Sequence, residues 1–281
     1  MTINTKTLYV SDLDGTLLGA DSRLSAGSAR LLNHLITEHG ALFTVATART
    51  PATVVPLMQQ VEATLPFIVI GGAALWNVQQ NAYEQARPIK PDTVLTIADA
   101  FERNSLHPFI YRQHGSLLHT HHFGPMSDQE SRFVAQRQNL PLKRFFLDDA
   151  HYRTSPDPAL LIFSMNKYRV LKGIVDEVMP QVQCEVMLYH DIFDPDDGYL
   201  EICAPGTTKA LAIKRLAKQL GVERVVVFGD NRNDIAMMRA ATWSVAVDNA
   251  FDEVKAAAHE ITGPNTADAV PHWILNDLLQ R

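Results

Sequence analysis

Two carboxylates, Asp12 and Asp14, follow the apolar run Leu8-Tyr9-Val10 and precede Gly15-Thr16-Leu17-Leu18. Side chains alternate along a strand, so positions two apart point the same way, and both acids can face one pocket at the strand's carboxyl end. Gly15 permits the sharp turn that a Cβ would hinder. Open α/β sheets bind ligands at these carboxyl edges, which favours chemistry over packing here. A strand followed by a plain Asp-Gly turn would read the same way, so the motif needs partners elsewhere in the chain.

Three further segments supply them, in the order a phosphoryl-transfer site needs. The apolar run Ala41–Ala46 leads into Thr47-Ala48-Arg49-Thr50-Pro51. Gly206-Thr207-Thr208-Lys209 opens a helical pattern, and Val225–Phe228 runs into Gly229-Asp230-Asn231-Arg232-Asn233-Asp234. Together these offer carboxylates, a hydroxyl and an ammonium. An aspartate attacking a phosphate monoester meets a second anion, so a divalent cation and donor groups must gather that charge. Each segment also has a plainer reading: Thr47 as a helix cap or strand end, Lys209 as a solvated helix-start lysine, and the Asp230 segment as a polar turn capping a helix at Asn233 or Asp234. A lysine in a first helical turn opposes the macrodipole, which weakens the structural reason for Lys209.

The elements that must position these groups alternate. A helix is expected from about Ala26 to His39, capped by Ser25 and stopped by Gly40. Thr50-Pro51 has the chemistry of a helix start, and Phe67–Ile70 reads as a third strand. From Gly206 the alternation resumes with a helix to Leu220, the Val225 strand, a helix from Ile235 to Ala240, a strand Val245–Val247, and helices near 251–258 and 267–279. This predicts an α/β fold, a Rossmann-like doubly wound parallel sheet joined by right-handed crossovers. Between about Tyr83 and Asp196 the texture changes to more His, Gln and charge. This stretch reads as an inserted α/β module with strands at Phe109–Tyr111, Leu160–Phe163 and Val182–Val186, and a helix from Lys167 to Met179. The expected division is 1–82 with 197–281, interrupted by 83–196, and Asp194–Gly198 reads as the hinge back.

At 281 residues the chain is long enough for one or two domains with ample core. Hydrophobic residues at 46% and charged residues at 20% are ordinary for a globular protein. A net charge of −6 argues against a nucleic-acid footprint and an anionic membrane surface. Cys184 and Cys203 lack a CxxC spacing and fit reduced thiols. The start, Met1–Lys6, has no apolar signal core, and no stretch approaches the roughly 18 apolar residues of a membrane span. A cytoplasmic protein, monomeric or weakly dimeric, is expected.

The segments at Asp12, Thr47, Lys209 and Asp230 resemble, in order and across nearly the whole chain, the haloacid dehalogenase-like phosphohydrolases, specifically the Cof-type branch (subfamily IIB) with its large α/β cap. The resemblance implies that Asp12 is the nucleophile that becomes an aspartyl-phosphate and that Asp14 protonates the leaving oxygen and then activates water. It implies magnesium (Mg2+) held by Asp12, the main-chain carbonyl of Asp14, and Asp230, with Asp234 as a further or water-mediated ligand. Thr47 and Lys209 would hold phosphoryl oxygens, Asn233 would bridge Asp12 or the phosphate, and Asn249 would orient the site. Arg49 reads as a surface ion pair or a cation at the site edge. The implied activity is hydrolysis of small phosphorylated metabolites, foremost sugar phosphates, under a mobile cap; a phosphomutase and a non-catalytic metabolite sensor are the competing readings.

The chain departs from the family pattern twice. Gly71-Gly72 stands where an Asn-Gly pair is usual after the third strand, and Asp248 precedes Asn249 where a glycine is usual. Finally, His114, His119, His121 and His122 fall within nine residues. They lack the i, i+4 spacing of helical zinc motifs, and Gly124-Pro125 signals a turn, so they read as a solvated or substrate-facing loop.

Overall fold

The computed structural model describes residues 6–191 and 194–280. The stretch 1–5, on which most of the leader reading rests, lies outside them. The chain divides into two compact units, Met1–Glu84 with Thr208–Arg281, and Gln85–Thr207.

The first unit is built on a five-stranded sheet in the order Glu260–Ile261, Trp243–Ala246, Arg224–Gly229, Thr7–Ser11, Leu42–Val45, with every pairing parallel. Leu8, Tyr9 and Val10 are all fully buried although they alternate between faces, so both faces of the sheet are covered. Helix Ala26–Thr37 packs with Ala269–Leu279, and Lys209–Leu220 with Ile235–Ala240. Ser25 caps the first of these by accepting from Ser28 N–H. A parallel bridge from Ala46 to Ile68 brings Phe67–Val69 to the sheet's edge. There it also opens a three-stranded antiparallel meander through Ala74–Asn77 and Ala82–Glu84.

The second unit carries a six-stranded sheet in the order Glu185–His190, Asp197–Cys203, Ala159–Lys167, Phe109–His114, Leu117–His121, Lys143–Phe146. Helices Pro91–Arg103 and Tyr168–Val178 bury Val94, Ile97, Leu171 and Ile174 against Ile110, Ile162, Leu200 and Ile202. On the alternate side-chain parity, Phe109 and Phe163 meet Phe133 of helix Asp128–Arg137.

Three features differ from the sequence reading. Asp197–Cys203 pairs on both sides within the second unit's sheet, so that unit extends to residue 207, and ladder pairing outweighs the turn signal at Asp194-Pro195. The strand expected at 182–186 is Glu185–His190; Val182 instead stays with the end of the preceding helix, its N–H donating to Val178 O. The histidine-rich stretch is a strand up to His121 rather than a loop, with His121 and His122 buried. Among the described residues no helix is long and apolar enough to cross a membrane.

Candidate active site

The first unit's strands end together at one edge. Asp12 follows Thr7–Ser11, and its N–H donates to Phe228 O on the neighbouring strand, at 3.0 Å. The chain then makes a wide turn, Leu13–Leu17, with Gly15 at φ +76°. A Cβ on Gly15 would lie 2.3 Å from Asp230 Oδ2, so a glycine here allows the turn to approach that carboxylate. Thr16 Oγ1 donates to Asp230 Oδ1 at 2.7 Å, and Asn249 Nδ2 donates to Gly15 O at 2.7 Å. Asn249 thus braces the turn.

Lys209 starts helix Lys209–Leu220, whose N-cap Thr208 accepts from Leu211 N–H. Its buried ammonium donates to Asp12 Oδ1 at 2.6 Å and Asp234 Oδ1 at 2.8 Å. Asp234, fully buried, accepts on its other oxygen from the N–H groups of Asp230 and Asn231, each at 3.2 Å. Gly72 packs so closely that a Cβ there would sit 2.5 Å from Thr208 O, and with φ at +102° this accounts for the second glycine of the pair. Thr47, buried at the end of Leu42–Val45, donates its N–H to Ile68 O and accepts on Oγ1 from Arg49 N–H.

Asp14 takes a different direction from Asp12. Its side chain is half exposed, and Arg49 grips both oxygens, Nε at 2.7 Å and Nη2 at 2.5 Å. Asp14 thereby raises the Arg49 pKa against the opposing effect of burial. Asn233 is exposed and stands outside the buried network. Sequence reasoning missed Thr16 and Asn231 as participants, although both lie inside the motifs it singled out. The partner of Thr16 becomes visible only when the two loops meet, whereas Asn231 binds Asp234 within its own loop.

Electrostatics set what the cluster can hold. Ligand oxygens of Asp12, Asp230 and Asp234 lie within 4.8 Å of one another. Burial pushes Asp12 up to about 7, with Lys209 opposing and Asp234 reinforcing the shift. Burial likewise pushes Asp230 up to about 6, against the hydrogen bond from Thr16. Lys209 remains charged because Asp12 and Asp234 outweigh the burial that disfavours it. Three carboxylates around one ammonium are short of positive charge, and their donor atoms are all hard oxygens. The set fits a hard divalent cation.

A profile of the haloacid dehalogenase-like hydrolases matches residues 9–274. The chain belongs to that family. It is a hydrolase, and members of the family generally work with a divalent metal. Among relatives of this hydrolase, a 5-amino-6-(5-phospho-D-ribitylamino)uracil phosphatase of Bacillus subtilis is 24% identical over 270 residues, spanning 95% of this chain and 96% of its own. A pyridoxal phosphate phosphatase of Escherichia coli is 26% identical over 285 residues, spanning 95% and 97%. The crystal structure of a haloacid dehalogenase-like hydrolase from Bacteroides thetaiotaomicron shares the fold, with a TM-score of 0.78 at 22% identity over 97% of this chain and 99% of that one.

Proposed function

We propose that the hydrolase is a magnesium-dependent phosphatase of small phosphorylated metabolites, sugar phosphates foremost, and that it works through an aspartyl-phosphate on Asp12. The observation that carries this reading is the buried chain Asp12–Lys209–Asp234 beside Asp230. It keeps a nucleophilic carboxylate next to a fixed cation. The relatives named above act, by their names, on phosphate esters of small molecules.

In the first step an Asp12 oxygen bonds to phosphorus, the bond to the leaving oxygen breaks, and Asp14 gives that oxygen its proton. In the second, Asp14 takes a proton from water as the water attacks phosphorus, which releases inorganic phosphate and restores Asp12. Lys209 and the Thr47 hydroxyl hold the phosphoryl oxygens through both steps. Asp12, Asp230 and the main-chain carbonyl of Asp14 would hold the ion. Asp234, with both oxygens already engaged, would reach it through water. The bound ion offsets the charge that accumulates among phosphate and carboxylates. Arg49 must release Asp14 for the proton transfers, which gives that exposed ion pair a switching role. Residues 85–207 are the part of the chain that the family resemblance assigns to substrate choice, and the first unit supplies the chemistry.

The test is free phosphate released from a panel of sugar phosphates, nucleotides, pyridoxal phosphate and an aryl phosphate, with magnesium and with chelator. Release that requires magnesium and vanishes in Asp12→Asn is expected. Activity surviving in that variant would show that the nucleophile is another group.

A further inference from the structure

The second unit holds metal-ligating side chains that this reaction does not use. Strands Phe109–His114 and Leu117–His121 form an antiparallel hairpin with Arg112 opposite His119 and His114 opposite Leu117. Diagonal neighbours in such a pair lie within reach of aromatic side chains. The rings of His114 and His119 accordingly stack, with centroids 4.5 Å apart. Asp157 meets both: its Oδ2 lies 3.0 Å from His114 Nδ1 and 3.5 Å from His119 Nδ1. One ligand atom from each of the three falls within 4.8 Å of the other two.

Asp157 is held in place by its backbone. The buried Arg112 guanidinium donates to the carbonyls of Tyr152, Arg153 and Asp157, and Gln113 N–H donates to Pro158 O. The cluster is also poorly explained by packing. The His119 side chain is only 12% exposed, and its Nε2 is buried without a hydrogen-bond partner among the described residues. A buried polar atom left unpaired destabilises the fold, and an apolar residue would avoid the loss. His114 leaves the other side open, at 60% side-chain exposure.

We propose that His114, His119 and Asp157 bind one transition-metal ion, zinc above all, with water completing its coordination. Two imidazole nitrogens and a carboxylate oxygen suit zinc, nickel or copper, whereas magnesium prefers an all-oxygen shell like that of Asp12, Asp230 and Asp234. One chain thus carries two sites of different metal preference. The ion takes the Nδ1 positions that now face Asp157, each neutral ring carrying its one proton on Nε2 instead, and the exposed His114 turns out of the stack to aim its nitrogen. Arg144, opposite His119 on the adjoining strand, works against a cation. It keeps the affinity below that of a closed structural zinc site. The helical spacing that these histidines lack is not required, because a hairpin brings its ligands together across strands.

The test is calorimetric titration of metal-stripped, full-length protein with zinc chloride, in excess magnesium to occupy the all-oxygen cluster. One zinc per chain is expected. Its affinity should fall more than about 100-fold in His119→Ala and Asp157→Asn, beyond the 10–100-fold typical of lost second-shell partners. It should be unchanged in Asp12→Asn, and also in His121→Ala, whose imidazole is instead paired with Asp149 at 2.7 Å. Copper titration followed by electron paramagnetic resonance gives a second reading: nitrogen coupling from two imidazoles in the native chain and from one in His114→Ala. No zinc bound at millimolar concentration, binding that survives Asp157→Asn, or binding lost in Asp12→Asn alone would each overturn the site. None of these readouts depends on phosphatase activity.

Discussion

Lys209 Nζ lies 2.6 Å from Asp12 Oδ1 with both side chains under 10% exposed, at 7% and 8%. The same ammonium is shared with Asp234, which is wholly buried. Replacing Lys209 with methionine would keep the volume and strand two carboxylates away from water. Breaking a buried pair in this way costs about 3–5 kcal/mol. Urea unfolding of Lys209→Met should therefore show a lower midpoint, and added magnesium should recover part of the loss. An unchanged midpoint would mean that the carboxylates are neutral in the folded chain.

The grip of Arg49 on Asp14 leads to a kinetic prediction. If Asp14 serves both steps, Asp14→Asn should lower turnover by about 10²–10⁴-fold, the range of general acid–base catalysis. With an aryl phosphate, whose leaving group needs little protonation, the first step should survive better than the second. A burst of phenolate and a phosphorylated protein detectable by intact mass are then expected. A variant that loses both steps equally would argue that Asp14 only positions the turn.

Much of this site was legible because its parts sit at strand ends marked by apolar runs. Leu8-Tyr9-Val10 before Asp12 and Val225–Phe228 before Asp230 are long enough to reveal period and direction. The bonds Thr16 to Asp230 and Asn249 to Gly15 were hidden, since each joins residues more than 200 positions apart. The strands Ala74–Asn77 and Ala82–Glu84 are too short to carry a period. In the second unit, Gly124-Pro125 drew attention to a turn, while the strand ends at His121, just before it. Side-chain alternation within that strand places His119 and His121 on one face, a relation that a helical spacing rule cannot detect.

Gly15 offers a local test of how closely the two loops must approach. An alanine there would have to hold φ near +76° and put its Cβ 2.3 Å from Asp230 Oδ2. The backbone strain alone should destabilise Gly15→Ala by more than about 1 kcal/mol. The displaced Asp230 should raise the magnesium concentration needed for half-maximal activity. Magnesium dependence like that of the native chain would show that the loop relaxes without moving the carboxylate.

Lys143 in the second unit gives a pH prediction with a definite sign. Its ammonium is buried among the rings of Tyr111, Phe133 and Phe145, and it donates to Tyr111 Oη at 3.2 Å. Burial, with Arg137 adding repulsion, pushes its pKa down from 10.5 to about 7. The folded chain therefore releases this proton near pH 7, while the unfolded chain keeps it up to about 10.5. Across that window the unfolded state binds more protons, so the lysine's contribution to stability rises with pH, and below the window its full penalty is present. Thermal unfolding of Lys143→Met should show a higher midpoint than the native chain at pH 6. The difference should shrink toward pH 10, because a neutral amine in the ring cage behaves much like the methionine. A difference that stays constant with pH would mean that the amine keeps its proton in the cage, held there by the ring faces.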